Sequence, residues 1–157
     1  MTSVVHVARS RTFPAGVKRA FEELLPYELD RLFDRRYLAI PPIKGVRDQG
    51  GSWGTPGQTR TVLLTGGGSM RETLREVRAP HVFAYHLDQV TGPMKALVRS
   101  VDGAWEFERA GTGVRVTWRW TLHPRGRVGS LAMPVFARMW QGYARQAFEN
   151  IEGLIVR

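Results

Sequence analysis

At 157 residues, with a formal charge of +9 and no cysteine, the chain is already bounded before any motif is read. A chain of this length makes one domain, 1–157, that buries about two-thirds of its unfolded surface. Without cysteine, disulfides, thiolate nucleophiles and cysteine-based metal sites are excluded, and a reducing cytoplasm is the expected location.

No apolar run approaches the roughly 18 residues of a membrane-spanning helix. The opening MTSVVHVARSRTF lacks the apolar core of a secretory leader, so none is expected. The charge invites a nucleic-acid reading, but its distribution does not support one. Basic residues are scattered and mostly alternate with apolar ones, and the densest group is Arg31, Arg35 and Arg36. Only Lys18, Lys44 and Lys95 are lysines, a skew typical of arginine-rich codon usage. Nucleic acid is not an expected partner, and the basic excess allows at most a weak contact with anionic membrane surfaces.

Residues 3–11 (SVVHVARSR) are valine-rich and predict a first strand. Pro14 suits the first turn of a helix, with Val17, Ala20, Phe21 and Leu24 as its buried stripe and Pro26 as its end. A second short helix is predicted over Glu28 to Arg36, on the spacing of Leu29, Leu32 and Phe33. Pro41-Pro42 excludes helix beyond it.

The stretch GGSWGTPGQTR, 50–60, is dense in glycine. As a phosphate cradle it fails: no lysine follows the glycines, a proline interrupts them, and strand rather than helix comes next. It reads as a turn-rich lead into a sheet, with Trp53 covering the rim of whatever the sheet encloses.

From about 58 the period changes from 3.6 to 2. Thr59–Thr65, Ser69–Arg78, His81–Asp88, Ala96–Arg109 and Gly113–His123 read as strands, and their short separators predict antiparallel hairpins. In GVRVTWRWTLH, Val114, Val116, Trp118, Trp120 and Leu122 share one face, and Arg115, Thr117, Arg119, Thr121 and His123 the other. Over 128–157 the helical period returns. Phe136, Met139, Trp140, Tyr143, Ala147, Ile151, Leu154 and Ile155 form an apolar stripe opposite Arg138, Gln141, Arg145, Glu149 and Glu152. Burying all these surfaces at once requires the sheet to curl around the last helix.

This order, together with particular segments, resembles a known family. The segments are IPPIKGVRDQ (40–49), WGTPGQTRTV (53–62), Arg71-Glu72 with Glu76, Phe83-Ala84-Tyr85, Thr91-Gly92-Pro93, Trp105-Glu106-Phe107 and Thr117-Trp118. They resemble the polyketide cyclase/dehydrase-like proteins of the START-like, helix-grip (SRPBCC) superfamily, of the small actinobacterial type. The resemblance implies an α+β helix-grip fold. In it a curved antiparallel sheet of six to seven strands wraps a long C-terminal helix, with two short helices after the first strand. It also implies a cavity between sheet and helix for a small hydrophobic or aromatic ligand. It does not select a chemistry, because the superfamily holds catalysts, carriers and receptors.

The inward face is expected to carry Phe83, Tyr85, Trp105, Phe107, Trp118 and Trp120, facing Phe136, Trp140 and Tyr143. A hairpin closed by Gly66-Gly67-Gly68 would pair Leu64 with Met70, Val62 with Glu72 and Arg60 with Leu74, leaving Arg60 diagonal to Glu72 and Glu76. Those three residues are the candidate chemistry. Either they form a closed ion cluster that fixes register, or Arg60 orients a ligand carbonyl while a glutamate acts as general base. Tyr85 and Tyr143 are candidate donors to a developing enolate. On the second reading Arg60→Ala should abolish ligand binding in a protein that still folds.

His123 falls on the wet face, His86 is out of phase with its inward neighbours, and His6 and His81 are unassigned. Neither a metal nor another cofactor is expected. Ser69 and Ser130 read as turn or cap residues. Three functions stay open: an enzyme of cyclase/dehydrase type, a lipid or small-molecule carrier or sensor, and a regulatory protein with a filled core. Monomer and homodimer are both open.

Overall fold

A computed structural model describes residues 3–156. Nine-residue β1 (Val5–Phe13) leads into α1 (Val17–Leu24) and the single turn α2 (Leu29–Leu32). Then come β2 (Ile43–Arg47), β3 (Thr59–Leu64), β4 (Ser69–Arg78), β5 (Val82–Thr91), a 3-10 turn at Pro93–Ala96, β6 (Val98–Ala110) and β7 (Gly113–Pro124). The chain ends in α3 (Gly126–Ile155), a helix of 30 residues, or roughly 45 Å. One seven-stranded antiparallel sheet has the order β1-β7-β6-β5-β4-β3-β2. It curls around α3, giving the expected α+β helix-grip fold.

Several boundaries differ from expectation for local reasons. Pro14 precedes α1 instead of starting it. α2 stops at Phe33, far short of Arg36, because Phe33 turns inward and stacks on Tyr143 with centroids 5.3 Å apart. The seventh strand, β2, is short and lies at the sheet edge, a place where five residues beside Pro41-Pro42 are tolerated. Ala96 belongs to the 3-10 turn, and Arg157, the expected last residue of α3, lies outside the described residues. Ser130 sits inside α3, its hydroxyl buried without a partner.

The β3–β4 register also needs correction. Arg60 pairs with Glu72 and Val62 with Met70. The loop consists of Thr65, Gly66 and Gly67, with both glycines at φ 99°. Gly68 is already in the ladder, accepting a hydrogen bond from the Leu64 amide at 2.8 Å. The slip from expectation is even, so each side chain keeps its face. Further along β4 a bulge between Leu74 and Glu76 inserts one extra residue. That insertion turns Glu76 outward, where it pairs with Arg78 at 2.6 Å.

Candidate functional site

Alternation on β3 to β7 sends Val62, Met70, Leu74, Leu87, Trp105 and Trp118 to the concave side, and α3 covers them. The packing leaves a cavity of about 70 Å³. Phe83, Tyr85, Trp105, Trp118, Trp120, Phe136, Trp140 and Tyr143 line it. Phe107 does not: it packs beyond the cavity against Phe21 and Phe83. Trp53 is also outside the lining; it is buried with the Arg60 guanidinium carbon 3.8 Å from its ring centre, a cation–π stack.

Arg60 and Glu72 are both in the cavity wall. Each is 5% exposed, and Arg60 Nε donates to Glu72 Oε1 at 2.8 Å. Arg60 Nη1 donates to Gln49 Oε1 at 3.3 Å. Of the five N–H groups of the guanidinium, these bonds use two. Burial pushes the Glu72 carboxyl above the ordinary carboxylate range, against the opposing pull of Arg60. Glu76 is brought nowhere near this pair.

Tyr85 is the most constrained polar group. Trp118 Nε1 and Trp120 Nε1 each donate to its hydroxyl oxygen at 2.8 Å. Two lone pairs are thus occupied, and among the described residues nothing accepts the remaining O–H. Burial holds the phenol well above its ordinary pKa, so it stays protonated. A buried hydroxyl with its acceptor sites filled can act only as a donor. Trp140 adds a second unpartnered donor, since its buried indole N–H has no acceptor.

Tyr143, likewise raised by burial, donates to the Pro41 carbonyl at 3.0 Å and pins the α2–β2 connection over the cavity. Five apolar residues, Ile40, Pro41, Leu64, Met94 and Phe136, separate the cavity from a second pocket of about 200 Å³. Exposed Arg36, Ala39, Thr65 and Gly66 help to line that pocket and make it the outer one, the mouth. It lies between the α2–β2 connection, the β3–β4 turn, the 3-10 turn and the N-terminal half of α3.

The lining also includes Leu24, Leu29, Leu32 and Phe33 from the helical segment and Met94 from the 3-10 turn. Sequence periodicity placed Leu24, Leu29, Leu32 and Phe33 on apolar helix stripes but gave no sign that they face open space, and Met94 fell outside every predicted element. On the outer sheet face, His86 Nδ1 and His123 Nε2 lie 2.6 and 2.8 Å from the two oxygens of Asp102. Only the cross-strand register brings these three together. No group of His, Cys, Asp and Glu among the described residues is arranged to hold a metal. No helix among them is long and apolar enough to cross a membrane.

A family model described as polyketide cyclase / dehydrase and lipid transport matches residues 4–155. Among solved structures, the chain is similar to a major latex-like protein 151 from Panax ginseng, with TM-score 0.74, 10% identity, and 98% and 99% of the two chains covered. It is similar to Ara h 8.0201, with TM-score 0.68, 20% identity, and 96% and 97% covered. It is similar to XoxI from Bacillus cereus, with TM-score 0.69, 12% identity, and 97% and 96% covered. At such identities these likenesses speak for the fold alone. No curated protein matches the chain as a relative.

Proposed function

Because the chain belongs to the polyketide cyclase / dehydrase and lipid transport family, we propose that it binds a small, largely apolar or aromatic molecule bearing a carbonyl oxygen. The observation that carries this reading is the Tyr85 hydroxyl, whose acceptor sites are filled by two tryptophans in the wall of an apolar cavity. Leaving such a donor unmet costs about 1–3 kcal/mol, which a carbonyl recovers on binding. Apolar walls provide most of the affinity, and one or two placed donors fix orientation. A carrier or sensor needs nothing more. The cysteine-free composition fits a cytoplasmic setting for this work.

Four tryptophans line the cavity, so acetophenone titrated into the protein should change their emission saturably. A flat titration, with heat release no greater than dilution, would remove the reading.

Catalysis is the second reading, and Glu72 is the observation that favours it. A carboxyl raised by burial and placed in the cavity wall can exchange a proton with an enolisable ligand. Arg60 would orient the carbonyl through its unused N–H groups. Incubation with a poly-β-ketone should then give cyclised product in the native protein and none in Glu72→Gln. Turnover equal in both would assign Glu72 to structure.

A further inference from the structure

The four most solvent-exposed large apolar side chains among the described residues are Leu131, Val128, Leu38 and Val135, at 81, 71, 68 and 63%. Three of them, at 128, 131 and 135, follow helical spacing and stand on one outer face of α3. One turn further on, Met139 lines the outer pocket. Leu38 belongs to the opposite rim, between pocket-lining Arg36 and Ala39. Its φ of 50° is a left-handed conformation rarely adopted by such a residue. Tyr37 beside it is seated on α3 so closely that a Cβ at Gly142 would lie 2.0 Å from its ring. These four apolar side chains are thus carried on segments that also line the outer pocket, and they stay in water.

The segments that line the outer pocket themselves carry only basic charge. Every residue lining the outer pocket comes from 35–47, 61–71, 89–101 or 109–148, and none of these four segments contains an aspartate or glutamate. Some arginines of the chain are paired with carboxylates, as in Arg11–Glu152, Arg35–Glu149, Arg115–Glu108 and Arg119–Glu106. Arg36, Lys95, Arg127 and Arg138 have no carboxylate within 4 Å among the described residues. Arg125 and Arg127 sit at the N-terminus of α3, where the helix dipole disfavours cations and no acidic residue compensates.

We propose that the mouth is a docking surface for an anionic lipid bilayer. Leu38, Val128, Leu131 and Val135 enter the headgroup boundary, and the surrounding cations meet lipid phosphates. A polyanion such as nucleic acid would satisfy the cations and leave the four apolar residues in water; an anionic bilayer receives both. Docking there would set the outer pocket against the membrane, giving an apolar molecule a route between bilayer and cavity. The docking itself does not depend on what the cavity holds.

The test is co-sedimentation with vesicles of phosphatidylcholine alone and of equimolar phosphatidylcholine and phosphatidylglycerol. The native chain should bind the anionic vesicles and not the neutral ones. Leu131→Glu with Val135→Glu should weaken that binding roughly tenfold or more, as should Arg127→Ser with Arg138→Ser. Arg75→Ser with Arg109→Ser, at the other end of the sheet, should change it little. Leu29→Trp, which intrudes on the cavity, should bind vesicles as the native chain does. A failure of the ligand reading is thereby kept apart from a failure of docking.

All substituted positions except 29 are exposed, and far-UV ellipticity confirms folding. Three results would overturn the proposal. The first is absence of binding to anionic vesicles. The second is binding that falls equally with arginines removed at either end, which is net charge alone. The third is a dimer in sedimentation velocity that Leu131→Glu dissolves without any vesicle binding, which would give the face to a second copy of the chain.

Discussion

Tyr85 and Gly103 face each other across β5 and β6, and the tyrosine ring occupies the space that a side chain at 103 would need. A Cβ there would lie 2.2 Å from the tyrosine Cζ. The ring cannot easily yield, because its oxygen is held by the indoles of Trp118 and Trp120. Gly103→Ala should therefore expel Tyr85 and leave both indole N–H groups unmet. The expected loss is about 2–4 kcal/mol of unfolding free energy, read by chemical denaturation, with a shift in tryptophan emission. A variant as stable as the native chain would show that the Tyr85 seat is soft.

The Arg60–Glu72 pair makes a prediction about charge. Arg60→Met alone strands the buried Glu72 and should cost about 3–5 kcal/mol, whereas Arg60→Met with Glu72→Met should recover most of it. The single alanine variant expected to fold intact is therefore a poor probe of ligand binding, because the pair is closed by hydrogen bonding, Gln49 and the Trp53 stack. Additive losses in the double-mutant cycle would show that the two side chains do not act as a pair.

Acid stability should report on Asp102. Its partial burial raises the carboxyl, but hydrogen bonds from His86 and His123 outweigh that and leave the group below its ordinary value. A depressed folded-state value gives stability that is present above the unfolded value, near pH 4. That stability is lost as pH falls through the folded one. Asp102→Asn should thus be less stable than the native chain at neutral pH, with the gap closing below about pH 4. The same gap at every pH would assign the effect to packing.

The α2–β2 connection is held by Tyr143 through the Pro41 carbonyl. Tyr143→Phe keeps the stack on Phe33 and removes only that bond, at about 1 kcal/mol. Acetophenone should then exchange faster in stopped-flow fluorescence, because Ile40 and Pro41 belong to the partition between cavity and mouth. Unchanged exchange rates would place the route elsewhere.

Period and punctuation in the chain carry the sheet, the gripping helix and most of the aromatic wall, since the alternation of Trp118 and Trp120 and the stripe through Phe136, Trp140 and Tyr143 follow directly from residue order. What order does not carry is geometry made between distant segments. Glu76 leaves the cavity through a bulge that one extra residue creates, and no local pattern marks it. The Arg60–Glu72 pairing needed the turn to be Thr65-Gly66-Gly67, which three consecutive glycines leave undetermined. Tyr85 was legible as inward, but its role as a forced donor depends on two indoles from another strand.

On the proposed function, the Tyr85 hydroxyl recognises a carbonyl inside the apolar cavity. Calorimetric titration with acetophenone and with α-methylstyrene, in which a methylene replaces the oxygen, tests it most directly. The native chain should prefer the ketone by about five- to tenfold, the equivalent of one net hydrogen bond. Tyr85→Phe, shown folded by ellipticity, should bind the two alike. Equal affinities in the native chain, or a preference that survives in Tyr85→Phe, would rule out carbonyl recognition by Tyr85.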